Sequence, residues 1–204
     1  MSHTEQDAAL VAAALAIAAD KGWQAVTVMD AARAAGVPLP LARERFPSRG
    51  AILMGLGRMA DQAVLAEVPT DGSVRDRLFD LLMRRLDAFQ QHRAGVVAVL
   101  RSLPSDPATA IMLACATRRS MRWMLDAAGV PTAGLGGELR LRGLIGVWLW
   151  AVRAWEKDES EDLSATMAAL DTALGRAEQA AKWLGRERRE ATPPAEPEPN
   201  RSED

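Results

Sequence analysis

Along this chain the apolar residues recur every three or four positions, and no stretch alternates with period two for long enough to argue a sheet. That spacing restricts the chain to an all-α fold. The first helix is predicted over about 5–21, with Leu10, Ala14, Ile17 and Ala18 on one stripe and Gly22 as its stop. Thr27 offers an N-cap, and Asp30 stands where a capping-box acid belongs. A short Ala-rich helix stops at Gly36, Pro38 and Pro40 follow, and a further short segment ends at Phe46-Pro47. Ser48 caps a helix over about 49–68. Pro69-Thr70-Asp71-Gly72 then reads as a turn and a domain boundary.

Helical spacing resumes with Val74, Leu78, Leu81, Leu82, Leu86 and Phe89, breaks over 90–95, and returns over 96–103. Asp106 before Pro107 reads as an N-cap with proline at the first helical position. That helix is expected to stop at Gly129, and 134–137 is expected to be a flexible joint. Leu141, Leu144, Ile145, Trp148, Val152 and Trp155 form the next stripe, and a last long helix is predicted over about 163–183. The tail from Ala191 has four prolines and no large apolar residue, so it is expected to be disordered. The expectation is eight or nine helices in three segments: 1–68, 69–190 and a tail at 191–204.

Composition excludes several classes. With 49% hydrophobic and 25% charged residues, the chain can bury a core. One cysteine, Cys115, makes no internal disulfide, and His3 and His92 are too far apart in sequence to suggest a metal site, so neither metal nor cofactor is expected. No basic segment precedes an apolar stretch at the N-terminus, and the apolar run 147–152 is far short of the ~20 residues that span a bilayer. A cytoplasmic protein is expected, with any membrane contact peripheral to the inner membrane. No Gly-rich phosphate loop or nucleophile–base arrangement is present, so an enzyme is not expected and no residue is assigned as catalytic.

The first ~60 residues join a helix ending at Lys21-Gly22-Trp23, a Thr27 start, an Ala35-Gly36-Val37 turn and an Arg45-Phe46-Pro47-Ser48-Arg49 close. This layout resembles the helix-turn-helix domain of the TetR family of repressors. The resemblance implies an N-terminal three-helix domain followed by a C-terminal helical ligand and dimerisation domain. Under that reading Arg43, Arg45 and Arg49 are the DNA contacts. Through residue 61, six bases face six acids, which gives little of the phosphate attraction behind most DNA affinity. Pro40 also removes an N–H from the recognition segment. No specific DNA binding is therefore expected from sequence.

A second resemblance rests on the string Asp158-x-Ser160-x-Asp162-Leu163-x-x-Thr166-Met167-x-x-Leu170-Asp171. It resembles the ninth Coq protein family of ubiquinone biosynthesis, itself built on the TetR fold, and extends over about residues 5–184. The resemblance implies a non-enzymatic accessory protein that binds isoprenoid quinone intermediates or phospholipid and presents them to a pathway hydroxylase. Eukaryotic members carry a terminal amphipathic helix where this chain has its Pro-rich tail.

The apolar face around Trp148 and Trp155 is either a packed core or the wall of a lipid tunnel. In the tunnel reading the lining is Leu82, Leu86, Met112, Met121, Met124, Leu144, Trp148 and Trp155. Arg119, Arg122 and Trp123, with Leu139 and Arg140, are candidates for partner contact. Cys115 is expected to be buried, and His92 to be a dipole partner at a helix end. The acids at 158–162 are expected to serve capping and solvation. The sequence reading is thus a homodimeric lipid-binding accessory protein of ubiquinone biosynthesis. Its alternative is a ligand-responsive TetR-type repressor that binds DNA.

Overall fold

The computed structural model describes residues 2–190, with side chains to Trp183. The expected tail at 191–204 lies outside the described residues. Among the described residues there are nine α-helices, two 3-10 turns and no strand. Helix α1 (His3–Lys21) begins two residues earlier than its apolar stripe predicts. Ser2 and Glu5 form a capping box that satisfies the first backbone donors. Helix α2 (Val28–Ala34) starts at Thr27, whose hydroxyl accepts from the Asp30 amide at 3.0 Å. Gly36, at φ 66°, makes the left-handed turn into α3 (Leu39–Arg45). Helix α4 (Arg49–Leu65) is capped by Ser48 and ends three residues short of its predicted limit.

The second half continues with α5 (Val74–Gln90), opened by a Ser73–Asp76 capping box, and α6 (Arg93–Ser102). Asp106 caps α7 (Pro107–Ala127), as its place before proline predicts. Helices α8 (Gly134–Lys157) and α9 (Ser164–Glu190) follow and pack along each other.

Two apolar clusters fill the molecule. The first gathers Leu10, Trp23, Val37, Phe46 and Ile52, together with Val99 from α6. The second joins α5, α7, α8 and α9 around Leu81, Met121, Leu144 and Trp155. Helix α4 belongs to both, through Leu53 and Leu56 at one end and Val64 at the other. Helix α6 lies so close to α1 that a Cβ on Gly95 would come within 2.3 Å of the Leu15 carbonyl oxygen.

Three sequence expectations are corrected. Residues 134–137 form the first turn of α8 and not a flexible joint. Gly137 is buried there, with Thr132 main-chain atoms filling the space a Cβ would need. Cys115 is exposed, because it falls on the outer face of α7. His92 precedes α6, and partial burial lowers its pKa, which opposes the charged form a dipole partner requires.

Candidate functional site

The helix-turn-helix is assembled on the first cluster. Ala31 and Ala32 of α2, Val37 of the turn and Ala42 of α3 point inward and are buried. Small inward residues let α3 lie close to the core while its other face stands in solvent. That outer face carries Leu39, Pro40, Arg43, Glu44 and Arg45. The three expected DNA contacts are placed differently. Arg43 is exposed on α3, with no ion-pair or hydrogen-bond partner among the described residues. Arg45 pairs with Asp7 of α1 through Nη2 and Oδ2. Arg49 is held three ways: Nη2 donates to Asp106 Oδ2 at 3.0 Å, Nη1 to the Gln24 carbonyl at 3.3 Å, and its guanidinium lies 5.9 Å from the Trp23 ring centre. Arg49 therefore ties α4 to the α7 cap.

The tunnel candidates Leu82, Leu86, Met121, Met124, Leu144, Trp148 and Trp155 are brought together in the second cluster, all buried. Met112 lies apart from them. It packs on the first cluster beside Gly50, where an added Cβ would come within 2.9 Å of its sulfur. Trp155 donates its indole N–H to Gln90 Oε1 at 2.8 Å and stacks under Arg93.

Spacing arguments missed the buried Arg85 of α5. It is only 5% exposed, and burial lowers its guanidinium to about 10. Its Nη1 pairs with Asp61 of α4, and its carbon sits 5.3 Å from the Phe89 ring centre and 5.4 Å from that of Trp148. In sequence Arg85 is the second of two adjacent arginines, Arg84 and Arg85. The available signal was its helical phase: it follows Leu82 by three positions and precedes Phe89 by four, which puts it on the apolar stripe.

No protein-family model matches the chain, and no curated protein matches it by sequence. Solved structures do match. A TetR transcriptional regulator from Nitrosomonas europaea ATCC 19718 aligns with a TM-score of 0.69 at 24% identity, over 86% of this chain and 99% of that one. The TetR-family regulator from Syntrophomonas wolfei gives 0.62 at 10% identity, over 89% and 97%. GusR from Salmonella enterica gives 0.59 at 17%, over 88% and 98%. The chain has the TetR-regulator fold.

On this TetR-type fold the string that resembles the ninth Coq protein family has a local structural reason. Asp158, buried between α8 and α9, accepts from the Ser160 amide at 3.1 Å and from its hydroxyl. Its other oxygen accepts from the Thr166 amide and hydroxyl, both at 2.7 Å. These bonds hold its carboxyl far below the usual carboxylate range. Leu163 adopts φ 54° between them and buries its side chain. The motif thus sets the α8–α9 turn. No family match supports the quinone-pathway assignment that the string implied.

The partner candidates Arg119, Arg122 and Trp123 of α7 and Leu139 and Arg140 of α8 are all exposed, and Arg140 donates to the Pro131 carbonyl. The two helices are linked by Glu138, which accepts from Arg118 and Arg142 and is held down to about 2 by them. Leu149 and Trp150 of α8 and Trp183 of α9 are also exposed. Among the described residues no group of acids, histidines or cysteines has a metal-binding arrangement, and no single helix is long and apolar enough to cross a membrane.

Proposed function

We propose that the protein is a homodimeric DNA-binding regulator that answers to a small ligand held among its C-terminal helices. The observation that carries this reading is the α2–turn–α3 unit, seated on a closed core with the outer face of α3 exposed to solvent. A helix so placed enters a major groove and presents side chains to base edges. Arg43 is available at once. Arg45 is bound to Asp7 by a solvent-screened surface pair, which is weak, so a phosphate can take Asp7's place. Arg49 is assigned a structural role. With charge balanced through residue 61, base contacts and pairing of two copies supply more of the affinity than phosphate attraction does.

The second copy is assigned to the exposed apolar side of α8 and α9. Leu139, Leu149, Trp150 and Trp183 stand in solvent there, and Gly143 and Gly146 leave open space that allows two backbones to approach. Fluorescence anisotropy with labelled fragments of the DNA flanking its own gene tests the reading. Expected is selective binding over unrelated DNA, weakened by Arg43→Ala by ~1–3 kcal/mol. Absence of selective binding, even at low salt, refutes it.

A second reading is favoured by one observation: α3 leads with Leu39 and Pro40, an apolar start unsuited to phosphates. It is the accessory protein of ubiquinone biosynthesis, holding an isoprenoid intermediate or phospholipid in the second cluster for a pathway hydroxylase. Organic extraction of protein purified from its host, followed by mass spectrometry, would then recover an isoprenoid in near-stoichiometric amount. A chain that binds DNA selectively and carries no lipid leaves the regulator reading alone.

A further inference from the structure

The outer face of α3 is poor in the groups that read bases by hydrogen bonding. Leu39–Arg45 contains no Asn, Gln, Ser, Thr or Lys. Adenine is recognised by an amide that pairs with N6 and N7 together, and this helix has none. Exposed Arg43 has the fork that guanine O6 and N7 accept from. Glu44, exposed beside it, repels phosphates, and Pro38 and Pro40 bring no N–H to the start of the helix. What the face does offer is carbon. The first cluster takes Val37, Leu41 and Ala42 from this stretch and leaves Leu39 out. Leu39 is 43% exposed, with Pro40 exposed next to it, and it stands one helical turn before Arg43 on the same face.

We infer that Leu39 reads the C5-methyl group of a thymine while Arg43 reads a guanine about two base pairs from it. The inference rests on the regulator reading and narrows the DNA it takes. The thymine methyl is the one apolar group on a base edge in the major groove, and a leucine that meets it takes carbon surface out of water. Cytosine in the same place has no methyl and presents its N4 amino donor to carbon, where it finds no acceptor. The spacing follows from the helix: four residues rise ~6 Å, close to two base-pair steps of ~3.4 Å. Arg45 and Arg49 have partners in Asp7 and Asp106, so Leu39 and Arg43 carry the readout between them. Two copies of the chain repeat it on an inverted second half-site.

The test uses the full chain and duplexes that it selects from a random pool. The selected half-site is expected to hold a thymine and a guanine about two base pairs apart. Each recurrent thymine is then replaced by deoxyuridine, which removes the methyl and keeps every hydrogen-bonding group. In fluorescence anisotropy the wild type is expected to bind about fourfold more weakly for each contacted thymine replaced. Leu39→Ala is expected to bind the thymine and deoxyuridine duplexes equally. Arg43→Ala is expected to keep the methyl effect and lose the preference for guanine. Leu39 lies outside the core, so its variant is expected to fold; if it does not, Leu39→Gln, which keeps the length without the apolar end, takes its place. Equal wild-type binding to the two duplexes, or a methyl effect that survives the loss of Leu39, overturns the inference and leaves the regulator reading standing. A chain that selects no sequence overturns both.

Discussion

The cluster beneath the helix-turn-helix and the cluster of the C-terminal helices are of similar extent, but they differ in what they enclose. In the first, the core side chains are apolar, the mutually bonded Asp106 and Thr109 are buried beside it under Arg49, and Trp23 Nε1 is a buried donor without an acceptor. Its tightness comes from small residues at crossings, Gly95 against Leu15 and Gly55 against Phe46. The second encloses Arg85 and is rimmed by the buried polar groups Ser120, Asp158 and Thr166. Shape decides the first core. The second also depends on whether each polar group finds its partner, since an apolar cluster can tolerate a charge only when that charge is paired.

Removing a partner in the second cluster should have the largest effect. Asp61→Leu leaves Arg85 buried and unpaired and is expected to lower stability by ~3–5 kcal/mol in urea unfolding, whereas the double variant Asp61→Leu/Arg85→Leu recovers most of that loss. A small loss in the single variant would show that water already reaches Arg85, and the contrast between the clusters would narrow. In the first cluster, Gly95→Ala drives a Cβ into the Leu15 main chain. The helices must separate there, an overpacking loss of ~1–3 kcal/mol. Thermal unfolding of this variant, set beside Gly57→Ala in the open on α4, isolates the steric part.

Smallest is Asp158→Ala, expected to cost about 1–2 kcal/mol through loss of the turn and cap of α9. Because the folded-state pKa of Asp158 is depressed, its contribution is present above the ordinary carboxylate value of 3.8 and is lost as pH falls toward the folded value. Wild type and Asp158→Ala should therefore draw closer in stability as the pH is lowered through that range. Urea titrations at pH 7 and pH 3 check the convergence.

Much of the architecture was legible from local chemistry. Ser48, Ser73 and Asp106 mark helix starts because a short polar side chain satisfies amides that no helical carbonyl reaches. Gly36 and Gly129 mark helix ends because their positive φ suits residues without a Cβ. The expectation at 134–137 failed since three glycines read as looseness, while Gly137 is needed for close contact with Thr132. The candidate site was less legible. Leu82, Met124 and Trp148 share one buried cluster, but Met112 has the same chemistry and packs elsewhere. Arg45 and Arg49 looked equivalent to Arg43 along the chain, yet their acceptors, Asp7 and Asp106, are remote in sequence.

Helicity, the places where most helices begin and end, and the apolar side of each helix can all be read from the residues in order. Those properties depend on caps, glycines and spacing within a few residues, so each segment specifies them alone. Tertiary structure alone decided which charges are paired and which are free. Arg85 meets Asp61 across α5 and α4, Arg49 meets Asp106 across α4 and α7, and Arg43 meets neither. Ionic partnership depends on distances of a few ångströms between helices, and only the packing of the two clusters fixes those distances.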